Sequence, residues 1–318
     1  MKRFFKIAIS ILLIIFAILT GLYFYVINNA KSLIKEYVAK QSNGKLAVDM
    51  DKVVLNTSTL RIEVFQPHLY STDSVTVASS YDIRVKKITL DLADLKPLIF
   101  KKKILIDSVI CMRPQINISK WKEQQSEHFS LPAQMGKAYN ELNGILKNLN
   151  VKYCLIDSGS FTLINKLDKN SKPVTITDYY LRIDNLSKEA DTKTGERYLF
   201  TDRIKFYSSH QDILAPDGKH GLKYSRLRIN SQLRSIEMDS CYLYGNRDGA
   251  GFNEFNIFFD TLRLTQVDFN KMTLFKLFKA DSAICINPEI NIRSIINKKQ
   301  NQADEVRRIF PKIPFRRQ

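Results

Sequence analysis

The chain has 318 residues, of which 44% are hydrophobic and 11% aromatic. This composition excludes a disordered polypeptide, and the length is sufficient for one or two domains with a sizeable buried core. Lys and Arg number 49 against 32 Asp and Glu, so the formal net charge is +17. A positive charge of this size is compatible with nucleic-acid binding, with contact to an anionic membrane surface, or with a basic protein of a cell envelope.

Residues 7–27 form a run of 21 positions without a charged side chain. As a helix, such a run is long enough to cross a hydrocarbon core of about 30 Å. Lys2, Arg3 and Lys6 precede it, so the positive-inside rule places the N-terminus in the cytoplasm and the bulk of the chain on the other side. A cleavable signal peptide is the competing interpretation, but its apolar core is usually about 7 to 15 residues long. We therefore expect an uncleaved single-pass anchor, which disfavours a nucleic-acid partner.

After the anchor, helical spacing predicts a short amphipathic helix over residues 31–40. From residue 46 the apolar period falls to two, as in Leu60, Ile62 and Val64. This period predicts strands with one apolar face.

Asp94 is a suitable N-cap for a short helix over residues 95–100, and Asp268 is a suitable N-cap for a second one. Residues 121–135 are polar and predict a loop, and an amphipathic helix is expected within residues 137–149. A turn is predicted at residues 215–218. Strands are predicted over residues 104–118, 151–165, 174–185, 199–208, 222–231, 234–244 and 254–266.

One sequence unit occurs twice. Residues 107–118 (DSVICMRPQINI) and 281–292 (DSAICINPEINI) agree at eight of twelve positions, at one constant offset. Pro114 and Pro288 fall at the same position of the two copies and predict an edge or a bulge, because proline cannot donate a ladder hydrogen bond. With the residues upstream, the repeated unit is a strand, a short helix and a strand.

No constellation of residues points to catalysis or to a metal. The histidines lack the spacing of a zinc pair, and there is neither a Gly-x-Ser-x-Gly elbow nor a phosphate-binding glycine loop. We therefore predict no enzyme activity and no cofactor. The histidines are His68, His128, His210 and His220.

Four cysteines in an exported chain raise the alternative of disulfides. Cys111 and Cys285 occupy equivalent positions in the two copies, and Cys154 and Cys241 also fall in predicted strands. We favour their interpretation as small buried hydrophobic residues over native disulfides.

The chain resembles the AsmA-like family of Gram-negative envelope proteins, within the superfamily of bridge-like lipid-transfer proteins that includes TamB. The resemblance is carried by the N-terminal anchor, the helix that ends in Asn43-Gly44-Lys45-Leu46, and the unit ITLDLADLKPLIFKKKILIDSVICMRPQINI. Residues 214–229 are similar to a hairpin of Bacteroidota members. Residues 305–316 track residues 141–152 in their apolar placement, which predicts a truncated or shortened member of a longer repeat family.

The resemblance implies an inner-membrane anchor, an elongated periplasmic β-groove with an apolar interior, and a role in phospholipid transport or outer-membrane homeostasis. It implies no catalytic residues. An alternative from another class is a non-transporting envelope scaffold that binds a protein partner through a sheet edge.

We therefore expect an α+β protein that is mainly antiparallel β, with a transmembrane helix followed by a curved amphipathic sheet and two repeated units. The expected divisions are an anchor at 1–30, a first unit at 31–120, a loop and helix at 121–150, a second unit at 151–295, and a basic segment at 296–318. The expected partners are phospholipid acyl chains, with an envelope protein as a further possibility. The residues expected to line the groove are Ile88, Leu90, Leu92, Ile110, Ile116, Ile118, Leu262, Leu264, Ile284, Ile290 and Ile292.

Overall fold

The computed structural model describes residues 29–72, 79–94, 104–120, 149–187, 197–198, 200–245, 254–274 and 277–293. Within them the predicted class is confirmed, because sixteen strands form one mainly antiparallel sheet and helical structure is limited to two short helices. Helix α1 covers residues 29–41 and helix α2 covers Phe269–Leu274. The predicted anchor, the helices expected over residues 95–100 and 137–149, and the basic segment lie outside the described residues, except for residue 149.

The strands are named in chain order. They are β1 (Leu46–Asp49), β2 (Lys52–Asn56), β3 (Arg61–Phe65), β4 (His68–Ser71), β5 (Ser79–Arg84), β6 (Lys87–Asp94), β7 (Ile104–Met112), β8 (Gln115–Lys120), β9 (Leu149–Asn165), β10 (Val174–Leu186), β11 (Arg203–Leu214), β12 (Gly221–Asn230), β13 (Ser235–Gly245), β14 (Glu254–Thr265), β15 (Ser282–Ile286) and β16 (Glu289–Arg293).

These strands amount to eleven crossings of the sheet, which we call passes. Five passes consist of two consecutive strands separated by two residues, namely β1–β2, β3–β4, β5–β6, β7–β8 and β15–β16, and each strand from β9 to β14 is one pass. The passes lie side by side in chain order. Neighbouring passes are antiparallel except for the fourth and fifth, where β7 and β8 both pair in parallel with the long strand β9.

A line of backbone irregularities crosses the sheet and divides it into two halves. It runs through the gap between the two strands of each split pass and through left-handed residues within four of the unbroken passes, β9, β10, β11 and β13. Left-handed residues mark the line in seven passes: Gln66, Arg113, Ser158, Asp178, His210, Ser240 and Asn287. At a left-handed residue the backbone leaves the extended conformation, so the regular alternation of side chains is interrupted there. The edge or bulge predicted at Pro114 and Pro288 corresponds to an interruption of the strand, because each proline follows a left-handed residue on this line. The pairing register is the same on both sides of Pro114, so this interruption is not a bulge.

The α1 half of the sheet contains β1, β4, β5, β8 and β16, and the α2 half contains β2, β3, β6, β7 and β15. The α2 half also has a cluster in which Tyr198, Val267 and Phe269 are buried against side chains of the sheet. The predicted N-cap is confirmed here, because the Lys271 N–H donates to Asp268 Oδ1 at 2.9 Å.

The sequence repeat extends over four passes. The offset that relates Pro114 to Pro288 also relates the pass of β3 and β4 to the pass of β13. It matches Arg61, where β3 begins, with Ser235, where β13 begins, and it matches Ser71, where β4 ends, with Gly245, where β13 ends. The turns before them end in left-handed residues with the same φ of 51°, Leu60 and Arg234. Passes one to four thus correspond to passes eight to eleven, and β9, β10 and β11 join the two sets.

One strand begins later than expected. A strand was predicted from residue 199, but β11 begins at Arg203. The Arg197 guanidinium donates to the Phe200 carbonyl at 2.7 Å, and the Thr201 N–H donates to the Tyr198 carbonyl at 3.0 Å. These bonds hold a turn that sequence periodicity does not reveal. The turn predicted at residues 215–218 is confirmed by a hydrogen bond from the Gly218 N–H to the Ala215 carbonyl.

Glycine at a left-handed position of the line is expected to stabilise the fold. Arg113 is exposed and has a φ of 49°. Arg113→Gly should raise the free energy of unfolding by about 0.5–1 kcal/mol, because the left-handed conformation is unfavourable for a residue with a Cβ. Gln115→Gly, at an exposed extended position two residues later, is the matched control and should lower it by a similar amount. Urea denaturation of both variants measures the difference, and an equal loss in both would contradict the role assigned to Arg113.

Candidate functional site

A row of directly opposed apolar side chains crosses all eleven passes. Residues opposite each other on neighbouring strands share a face of the sheet, so the members of this row lie on one side. We call this side the apolar face. The row consists of Val53, Val64, Ile88, Cys111, Ile156, Leu181, Phe206, Ile229, Ile236, Leu264 and Ala283.

Parallel rows widen the apolar face within both halves. In the α2 half a second row consists of Leu55, Ile62, Leu90, Val109, Cys154, Ile183 and Ile204. In the α1 half one row consists of Val48, Leu69, Ile83, Ile116, Phe161 and Ile176. Another row of that half consists of Ile213, Leu222, Leu243, Ile257 and Ile290.

The apolar rows of the two halves lie on the same side of the sheet. Strict alternation would place Cys111 and Ile116 on opposite faces, because they are five residues apart, but the left-handed residue Arg113 lies between them and interrupts the alternation. A contact across the line supports this continuity. Ser208 pairs with Leu227 in the α2 half, whereas Tyr224 belongs to the α1 half. The hydroxyl groups of these two buried residues are 2.8 Å apart.

The apolar face is only partly covered. All members of the row that crosses the sheet are half-buried except Ala283, which is exposed. Among the described residues, the cluster of Tyr198, Val267 and Phe269 covers the face at one place, where it packs against Ile204 and Leu264. A sheet of eleven passes is about 48 Å wide at the usual spacing of strands. A continuous apolar face of this width is a candidate surface for a ligand or a partner.

The opposite face is polar and carries cross-strand ion pairs. Arg61 Nε lies 2.6 Å from Asp91 Oδ1, and the Ser108 hydroxyl donates to Asp91 Oδ2 at 2.7 Å. The hydrogen bond from Arg61 is the main cause that lowers the pKa of the Asp91 carboxyl. Farther along the sheet, Glu237 pairs with both Arg228 and Arg263 at 2.8 Å. The two faces therefore differ strongly in chemistry.

The pairing brings most of the sequence-predicted residues together on the apolar face. These are Ile88, Leu90, Ile116, Ile118, Leu262, Leu264, Ile290 and Ile292.

Three predicted residues are placed differently. Ile110 is opposite Thr89 and Ile284 is opposite Arg263, so both lie on the opposite face, and their prediction is corrected. The expectation failed because both lie in runs of consecutive apolar residues, where alternation does not single out one face. Leu92 lies at a register shift of β6, so pairing assigns it to neither face.

The joining strands β9, β10 and β11 contribute members of the apolar face that were not predicted from the sequence. Leu181 with Ile183, and Ile204 with Phe206, are apolar pairs at a spacing of two residues within predicted strands. This spacing was the signal that could have found them. The sequence alone did not show how these strands pair with the two repeated units.

The four cysteines are all free. Cys111 and Cys154 lie on the apolar face and are half-buried, Cys241 is buried and Cys285 is exposed. Burial raises the pKa of the Cys111 and Cys241 thiols and raises the pKa of Cys154 to about 11. These three thiols therefore act as small apolar groups at neutral pH.

Polar clusters offer no second candidate site among the described residues. No group of three or more His, Cys, Asp or Glu side chains in that part of the chain could hold a metal ion. His68 Nε2 lies 2.8 Å from Asp82 Oδ1, and His220 pairs with Asp217. Both are exposed or half-exposed local pairs.

Comparisons with known proteins leave the chain without an assigned family. No family model matches the sequence, and no curated protein is significantly similar to it. The function therefore has to be inferred from the apolar face.

Thiol labelling is expected to separate the cysteines. At pH 8 about one Cys154 side chain in a thousand would be a thiolate, given a pKa of about 11. Iodoacetamide should therefore modify the exposed Cys285 first and Cys154 far more slowly, which peptide mass spectrometry can follow. Chain unfolded in urea is the control, in which all four thiols should react at similar rates. Equal rates for Cys154 and Cys285 in the folded protein would contradict the assigned burial.

Proposed function

We propose that this protein is a membrane-anchored periplasmic protein of the AsmA-like type that holds phospholipid acyl chains against its apolar face. In this role it contributes to phospholipid transport or to outer-membrane homeostasis. The observation that carries the proposal is the unbroken row of apolar side chains across eleven passes, from Val53 to Ala283. Its members are half-buried or exposed, so the face has apolar area left to cover.

The physical argument is the free energy of covering this area. Burying a methylene group contributes about 0.8 kcal/mol, so an acyl chain of about fifteen methylenes would gain on the order of 10 kcal/mol against a dry surface. Rows of Val, Ile, Leu and Phe present hydrocarbon without polar atoms, and acyl chains need no directional partners. The face therefore suits a class of ligand more than one particular molecule.

The membrane location rests on the sequence. Residues 7–27 and the basic residues before them support a single inner-membrane anchor with the sheet on the periplasmic side. Among the described residues no helix is long and apolar enough to cross a membrane, and residues 7–27 are not among them. The formal charge of +17 also favours contact with anionic headgroups.

The second candidate function is a non-transporting envelope scaffold that binds a protein through its sheet edge. It is favoured by the last pass, β15 and β16, whose residues are all exposed. In that case the apolar face would only stabilise the folded protein, and the sheet edge would bind the partner.

Adjacent residues of β7 provide a matched test of lipid binding. Val109 lies on the apolar face, Ile110 lies on the opposite face, and both are half-buried. Val109→Asp should lower the amount of phospholipid that co-purifies with the full chain several-fold, because a carboxylate among acyl chains is left without partners. Ile110→Asp should have a much smaller effect. Lipid extraction with mass spectrometry measures this, and the thermal unfolding of both variants controls for folding.

Two outcomes would contradict the proposal. One is the absence of phospholipid from the wild-type chain purified in mild detergent. The other is an equal loss of lipid in the two variants when their thermal stabilities are also equal, because the loss would then not depend on the face.

A further inference from the structure

The internal repeat places the same pass of strands in two different positions of the sheet. The fourth pass, β7 and β8, corresponds to the last pass, β15 and β16, at the offset of the sequence repeat. Both have a left-handed residue at the same position, Arg113 with a φ of 49° and Asn287 with a φ of 48°. Each also pairs on one side with an antiparallel pass of its own unit. The two passes differ on their other side.

In the first copy, the other side is covered by the parallel strand β9. The Arg113 N–H donates to the Asp157 carbonyl at 2.8 Å, and the Ser160 N–H donates to the Pro114 carbonyl at 2.7 Å. The register places Cys111 opposite Ile156. Beyond the bend the same strand continues along β8, where Ile116 is opposite Phe161 and Ile118 is opposite Leu163.

In the second copy, β15 and β16 have no partner on that side among the described residues. Their apolar side chains are exposed: Ile284 to 46%, Ile286 to 45%, Ile290 to 60% and Ile292 to 64%. The equivalent side chains of the first copy, Ile110, Met112, Ile116 and Ile118, are all half-buried. Nearly the same sequence thus has a covered edge in one copy and, within the described part of the chain, an open edge in the other.

We propose that the open edge of β15 and β16 is a strand-addition site, which binds a parallel β-strand of a partner protein in the register that β9 adopts on β7 and β8. The strand it fits has apolar residues at positions n, n+2, n+7 and n+9, with a one-residue slip between the two pairs. In β9 these positions are Cys154, Ile156, Phe161 and Leu163, and the slip is at the left-handed Ser158. The added strand would extend the apolar face by one more pass.

A second copy of this chain fits the edge less well through its own first pass. An antiparallel pairing that continues the apolar rows would set Cys285 opposite Val53. The same register would set Glu289 opposite Asp49 and Arg293 opposite Lys45. Like charges directly opposite each other destabilise a strand pair. The occupant is therefore a partner strand with the pattern of β9, and the experiment below distinguishes it from self-association.

The probe is a synthetic peptide with the sequence of β9, Leu149–Asn165, added to the purified full chain in mild detergent. Hydrogen exchange of residues 282–293 is followed by mass spectrometry. We expect the peptide to slow exchange in this segment by about tenfold, because a parallel ladder protects outward N–H groups such as that of Asn287. A control peptide in which Phe161 and Leu163 exchange places with Ser160 and Thr162 should not protect, because its apolar residues point to the wrong face.

Proline provides the matched variant. The Arg113 N–H points to β9. N–H groups alternate in direction along a strand, so the Val109 N–H, four residues earlier, also points to β9. Ala283 is the equivalent of Val109 in the second copy, so its N–H should point to the open edge. Ala283→Pro removes this donor without breaking the ladder to β14, since proline is tolerated when its missing N–H faces outward. It should abolish protection by the peptide, whereas Ala283→Thr, which keeps the N–H, should retain it.

The proposal is overturned by any of four results. The first is no protection by the β9 peptide, and the second is equal protection of the Ala283→Pro variant. The third is protection without peptide that increases with protein concentration, which would assign the edge to a second copy. The fourth is protection without peptide that disappears when residues 294–318 are deleted, which would assign it to this chain's own tail. None of these readouts depends on lipid, so the outcome is separate from that of the proposed function.

Discussion

The one-residue slip at the middle of each pass is the constraint on which the rest of this sheet depends. Side chains of a strand alternate between the two faces of the sheet. Cys111 and Ile116 are an odd number of residues apart, so without a slip between them the apolar side chains of the two halves would lie on opposite faces. Here the spacing changes at the same level in every pass, and left-handed residues such as Arg113, Ser240 and Asn287 mark the place. The contact between Ser208 and Tyr224 shows the result, which is one apolar face across both halves.

The polar face maintains the register that this arrangement needs. Pairs such as Arg61 with Asp91, and Glu237 with two arginines, lie directly across neighbouring strands. Solvent screens these largely exposed pairs, so they are not the main source of stability. Their effect is selective, because a shift by one residue would bring apolar side chains into the polar rows and separate the charges. An occupant of the apolar face would add stability in proportion to its affinity and concentration.

The repeat explains how the sheet is extended. Passes one to four and eight to eleven are the same unit, and the three passes between them begin with a parallel strand and return by antiparallel ones. Parallel addition at the fourth pass leaves the apolar row unbroken from Cys111 to Ile156. The last pass has the backbone and nearly the side chains of the fourth, so its edge carries the same recognition pattern. The proposed lipid binding and the proposed strand addition would thus use different parts of one repeated design, its face and its edge.

The sequence by itself determined most of the strands, the repeat, the Asp268 cap and the class of fold, because these depend on features of the sequence pattern: a period of two, a capping carboxylate and a constant offset between two copies. Most of the predicted apolar positions also followed from alternation. Only the tertiary structure decided which face each strand presents. In the run from Val109 to Met112 every side chain is apolar, so the sequence favours neither face, and the pairing of Val109 with Leu90 and of Ile110 with Thr89 resolves it. The pairing partners are distant in the chain, and for that reason neither the continuity of the apolar face nor the open edge at its end could be derived from local pattern.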